Sequence, residues 1–182
     1  DTKQPLTYSN TAKNNLDKAA AVDKEADELL AESQRIKEQA ALQNEVTEKN
    51  ALYSKADELT TSAESKKIEA AQLVGTANTL EYRSNQHAVD QYANANTGSA
   101  DELAIADLMK DEAKTYFDKA QNSRKAAASF ETYYAKQTAL EDAAKSEELA
   151  IQKQNGALAI YKKNNPKLVV RPLTAADIAA KT

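Results

Sequence analysis

Residues 66–92 read KKIEAAQLVGTANTLEYRSNQHAVDQY, from Lys66 to Tyr92. Ala70, Leu73, Ala77, Leu80, Ser84, His87 and Gln91 recur there at spacings of three and four, flanked by Val74, Ala88 and Tyr92. This spacing predicts one long amphipathic helix, with a small-residue face toward neighbouring helices and Glu69, Thr76, Arg83 and Asp90 in water. A related pattern returns 69 positions later, where Lys67 falls on Lys136, Ala70 on Ala139, Leu80 on Leu149, Ala88 on Ala157 and Tyr92 on Tyr161. Most other positions differ, so the repeat is degenerate.

The composition extends that reading to the whole chain of 182 residues. Hydrophobic residues make up 41%, but many are alanine; aromatics reach only 5%, and three glycines with three prolines are too few for many turns. Alanine has the highest helix propensity, and 29% charged residues of interspersed sign suit solvated helix faces. The expectation is an all-α protein, an antiparallel bundle or short solenoid of about five long helices.

Working outward toward the N-terminus, residues 1–8 read as an extended lead-in, with Pro5 barring a helix and Ser9 or Thr7 able to cap the next one. The first helix carries Ala12, Leu16, Ala19, Ala26, Leu29, Ser33, Ile36 and Ala40 on one face, up to a turn near 43–47. A shorter second helix uses Leu52 or Tyr53, Ala56, Leu59 and Ala63. We expect a break at Thr60-Thr61-Ser62, a poor helix interior, the alternative being one unbroken helix from about 48 to 92.

Toward the C-terminus, the clearest boundary is 93–99, where Gly98 precedes a capping box of Ser99 with Glu102. The next helix shows Leu103, Ala106, Met109, Ala113, Tyr116, Ala120 and Ala127; it matches the second helix at a shift of 64. Growth of that shift to 69 implies about five extra residues across 128–134. Residues 135–163 complete the repeat, and Asn164, Asn165 and Pro166 stop it. The domain expectation is a bundle over 9–163, with repeat-like units at about 45–93 and 100–163. A proline-containing tail over 164–182 ends in a short helix capped by Thr174 with Asp177.

The same residues bear on function mostly by exclusion. Cysteine is absent, which removes disulfides, thiolate metal sites and cysteine catalysis. His87 is the only histidine; the glutamate three residues before it that a helical di-metal site requires is replaced by Ser84. The carboxylates Glu25, Asp27, Glu28, Glu32, Asp57 and Glu58 sit beside Lys24, Lys37 and Lys55 as solvated ion pairs, without a second group to push their pKa values apart. No glycine-rich phosphate loop occurs. We expect no enzyme, no cofactor and no metal site. The net charge of −4 points to neither nucleic acid nor an acidic membrane, and no apolar run reaches the roughly 20 residues needed to span a bilayer. The chain opens at Asp1 rather than at a methionine, and we expect a segment of something longer.

Tyrosine is the residue used out of proportion, eight against two phenylalanines and no tryptophan. One account is amphipathic edge-filling, ring packed and hydroxyl wet. The other concerns the turn: Phe130, Tyr133 and Tyr134 form either an exposed aromatic anchor for a protein partner or a hydrophobic cap folded over the bundle end.

Tyr53-x-x-Ala56-x-x-Leu59, Ala77-x-x-Leu80-Glu81 and Gln86-x-Ala88-x-x-x-Tyr92 together resemble the alanine-rich helical arrays of large cell-envelope proteins of Bacteroidetes-type bacteria, over residues 50–163. The resemblance implies an exported, non-catalytic region, periplasmic or at the cell surface, that spaces or docks other domains. The functional expectation is a helical scaffold or protein-interaction module, the alternative a cell-surface adhesion or lipid-surface-binding module.

Overall fold

A computed structural model describes residues 8–95, 97–171, 173 and 175–180. Its elements are α1 (Asn10–Leu42), α2 (Val46–Ala95), α3 (Ala100–Ser129), α4 (Tyr133–Asn164) and the short α5 (Ala175–Ala179), with no strand among the described residues. The all-α expectation holds. The long helices number four, because the two segments expected on either side of Thr60–Ser62 are one helix of 50 residues. The break fails for a local reason: Thr60 and Thr61 return their hydroxyls to the carbonyls of Ala56 and Asp57, both at 3.0 Å, which satisfies them inside a helix. Ser33 of α1 also donates to the Ala56 carbonyl and contacts the Thr60 hydroxyl, each at 2.8 Å, so the hydroxyl cluster is an interhelical contact.

One residue type at one spacing builds the seams. Ala12, Ala19, Ala26, Ser33 and Ala40 of α1 are buried at seven-residue intervals, as are Ala56, Ala63, Ala70 and Ala77 of α2. The series repeats in α3 with Ala106, Ala113, Ala120 and Ala127, and in α4 with Ala143, Ala150 and Ala157. A strict heptad keeps a seam facing its partner only if the helices supercoil left-handedly, and a methyl side chain lets the two backbones approach closely. Long side chains flank the seam: Lys66 pairs with Glu25 at 2.6 Å, and Lys67 with Asp27 at 2.6 Å and Asp23 at 2.9 Å. Lys153–Glu112 and Lys163–Glu102 do the same for α3 and α4.

Each pair closes through the same turn. Gln43 and Phe130 are the C-caps of α1 and α3, both in extended conformation, and their N–H groups bond the carbonyls of Ala40 and Ala127 at 3.1 and 3.2 Å. The 128–134 turn therefore carries no extra residues: three residues separate α3 from α4, as three separate α1 from α2. Like positions in the two hairpins are 87 residues apart, from Gln43 to Phe130. The offset of 69 seen in the sequence has another meaning. It is the register in which α2 and α4 lie side by side and parallel, with Asn78 bonded to Glu147 and Asn85 to Asn155. The hairpins are thus slid past each other by 18 residues, 87 less 69, or about 27 Å at 1.5 Å per residue.

This slide changes what α2 buries along its length. Its first half faces α1 through the alanines, and its second half turns Asn78, Glu81, Tyr82, Val89 and Tyr92 inward against α4. The expected stripe through Ser84, His87 and Gln91 is accordingly displaced, with Gln91 exposed; Glu69, Thr76, Arg83 and Asp90 are exposed as expected. The larger side chains concentrate in this half. Val89, Tyr92, Ala106, Leu158 and Tyr161 form one core cluster, and Tyr82 stacks on Phe117 with ring centroids 3.8 Å apart.

Caps follow the sequence where they can be seen. Ser9 accepts from the Ala12 N–H and Ser99 from the Glu102 N–H. Gly98 takes φ +138°, a conformation side chains avoid. Residues 1–7 of the lead-in expected over 1–8, and the Thr174 cap, lie outside the described residues. Leu168–Val170 carries no regular secondary structure and is held where the Tyr92 hydroxyl donates to the Leu168 carbonyl at 3.0 Å.

Candidate functional site

The chemistry concentrates where the hairpins cross. Glu147 of α4 is fully buried. Arg124 of α3 grips it with two parallel bonds, Nε to Oε1 at 2.5 Å and Nη2 to Oε2 at 2.9 Å, and donates from Nη1 to the Ala71 carbonyl of α2 at 3.2 Å. Asn78 of α2 donates to Glu147 Oε2 at 2.8 Å and accepts at its own Oδ1 from the Tyr8 hydroxyl at 2.9 Å. Three long helices and Tyr8, two residues before α1, therefore meet in one connected set of bonds. Such a fork is the strongest geometry available to a carboxylate.

Gly75 makes room for it. A Cβ at that position would lie 2.2 Å from Arg124 Cζ, so the guanidinium rests on bare α2 backbone. Nearby, buried Glu81 accepts from the Ser9 N–H at 2.9 Å and supplies a negative charge at the start of α1. Burial pushes the Tyr8 phenol up to about 12, reinforced by Glu148, Glu81 and Glu147. Tyr8 thus stays a neutral donor to Asn78. The Tyr82 phenol also rises to about 12, by burial first and then by Asp118 and Asp90.

Neither Arg124, Glu147, Asn78 nor Gly75 stood out in the sequence as a functional residue. Arg124 and Glu147 read there as two more members of charged helices. The signal available was Gly75, an isolated glycine inside a helical pattern with no turn beside it, which marks a close packing contact.

The expected site residues separate. Phe130 at the α3 cap is 39% exposed and Tyr134 79%, whereas Tyr133 is half-buried. Burial raises the Tyr133 phenol, with Lys67 opposing and Glu64, Glu141 and Asp23 adding to the rise. Exposed and half-buried rings are thus neighbours in one turn. The other turn presents Leu42 at 81% and Val46 at 69% exposure. Three of the remaining tyrosines bond their hydroxyls within the protein rather than leaving them wet: Tyr8 to Asn78, Tyr92 to the Leu168 carbonyl, and fully buried Tyr161 to Asp107 Oδ1 at 2.6 Å.

His87 is half-buried on α2, and among the described residues no group of three or more His, Cys, Asp or Glu is placed to hold a metal ion. No described helix is long and apolar enough to cross a membrane. Two open grooves flank the hairpin crossing. One, of about 680 Å³, lies between α2, α3 and the start of α4; the other, of about 370 Å³, lies between α1, α2 and α4. No family model, curated protein or solved structure matches the chain.

Proposed function

We propose that the chain is a non-catalytic helical scaffold that holds a protein partner or neighbouring domains at a fixed spacing, as a segment of a larger exported protein of the cell envelope. The observation that carries this reading is α2. It is one helix of 50 residues, about 75 Å long, that packs on α1 along an alanine seam and on α4 of the second hairpin through Asn78, Glu81, Tyr82, Val89 and Tyr92. A rod built this way spends its buried charge on joining helices: the Arg124–Glu147 fork and the Asn78 side chain bond other protein groups across the crossing.

The turn aromatics are the part of the rod suited to a partner. Phe130 and Tyr134 are rigid, exposed side chains at a hairpin end, and such residues carry a large share of interface energy where they insert into a pocket. Tyr133 holds the turn down. A photo-crosslinking side chain at position 134, introduced in the producing cell, should trap one defined protein or domain. The same group at exposed Asp101 serves as the control and should not trap it. Phe130→Ala with Tyr134→Ala should abolish the crosslink at a neighbouring position and leave the melting temperature nearly unchanged, whereas Tyr133→Ala should lower it by several degrees. Identical crosslinks at 134 and 101 would remove the turn from the proposal.

A further inference from the structure

The 680 Å³ groove differs from the rest of the surface in its charge. In a chain of net charge −4, Arg83, Lys136 and the Glu147-bound Arg124 line it, and no carboxylate among the described residues does. The smaller groove is the internal contrast, since Lys67 is matched there by Asp23 and Glu141. Arg83 and Lys136 have no hydrogen-bond or ion-pair partner among the described residues. Arg124 uses three of its five N–H donors on Glu147 and Ala71, which leaves two beside the groove.

Between the cations the lining is aliphatic. Ile68 and Leu80 come from α2, Leu140 from α4, and buried Ile178 of α5 closes one end. The α2 floor from Ile68 to Arg83 runs about 22 Å at 1.5 Å per residue. Elongated and apolar with a few charged donors, the cleft falls within the ordinary size range of a small-ligand site, about 300–1,000 Å³.

We propose that this groove binds a free single-chain carboxylate amphiphile, its chain along the α2 floor from the Ile68 end and its carboxylate on the Arg83 guanidinium at the other end. The charge excludes a cationic ligand. The aliphatic floor disfavours a small inorganic anion, which would leave that surface in water. A flat membrane surface cannot reach a floor walled by α3 and α4. The proposal goes beyond the scaffold reading and does not depend on it.

The test is calorimetric titration with dodecanoate below its micelle concentration, with dodecanol, acetate and anionic phosphatidylglycerol vesicles in separate runs. The expected result is one saturable dodecanoate site, with dodecanol and acetate each at least tenfold weaker and no vesicle binding. Arg83 and Ala128 are both exposed, so Arg83→Glu and Ala128→Glu should each weaken dodecanoate at least tenfold while the melting temperature of the unliganded protein holds. Absence of saturable binding, equal binding of dodecanol, or binding unchanged in both variants would overturn the proposal. Vesicle binding lost in the same variants would replace it with a lipid-surface site.

Discussion

Glu147→Ala is expected to lower the unfolding free energy by about 3–5 kcal/mol, the usual cost of removing one partner of a buried ion pair. The size follows from what is left behind. The Arg124 side chain is 15% exposed, and in the variant its charge would lie over α2 with only the Ala71 carbonyl to accept from it. Asn78 would lose the acceptor of its amide as well. The surface offers a control in Lys114–Asp118, a pair at 2.6 Å with both side chains more than half exposed, where Asp118→Ala should cost less than about 1 kcal/mol. Replacing Arg124 and Glu147 together by methionine should recover most of the loss, because no charge is then stranded. Urea unfolding of the four proteins measures all of this. A Glu147→Ala protein within about 1 kcal/mol of the parent would mean that the bonds from Glu147 to Arg124 and Asn78 do not hold the helices together.

The second large effect runs against helix propensity. Glycine inside a helix costs about 1 kcal/mol relative to alanine, so Gly75→Ala in the middle of α2 ought to stabilise. We expect the opposite, a loss of about 2–4 kcal/mol, because the new methyl would sit 2.2 Å from Arg124 Cζ and push the guanidinium off its seat. Arginine is flexible, but this one is tied at three nitrogens and cannot step aside without breaking the fork. The sign should therefore reverse when the tie is cut: with both Arg124 and Glu147 changed to methionine, Gly75→Ala should gain part of that 1 kcal/mol. Stabilisation by Gly75→Ala in the parent would show that Arg124 lies elsewhere.

How much of this was legible in the sequence depends on the range of the contact. The helices, their first-turn caps at Ser9 and Ser99, the turn after Gln43 and the boundary before Ala100 rest on local propensity, and the sequence carries them. The break at Thr60–Ser62 was misread because propensity counts a threonine as a weak helix former without knowing where its hydroxyl goes. The offset of 69 residues was a true signal with the wrong interpretation. Read as copies of one unit, it in fact marks neighbours, because α2 and α4 lie parallel in that register and present matching faces at matching levels. The fork joining α3 to α4 over Gly75 had no local signature at all. Arg124 and Glu147 are 23 residues apart and 49 and 72 residues from Gly75, and only the folded chain brings them to one glycine.

Two like hairpins lie side by side, slid by 18 residues. The chain has no cysteine, so two introduced cysteines carry spin labels without competition. Asn44 in the first turn and Glu131 in the second are both exposed. The slide places their levels about 27 Å apart along the helix axes, with lateral helix spacing of about 8–10 Å per step added. Electron–electron distance measurement between labels at 44 and 131 should give one narrow distribution centred at about 30–35 Å. A centre below about 20 Å would mean that the turns are level in an ordinary four-helix bundle, and a broad distribution would mean that the hairpins are not fastened. Either result contradicts the account.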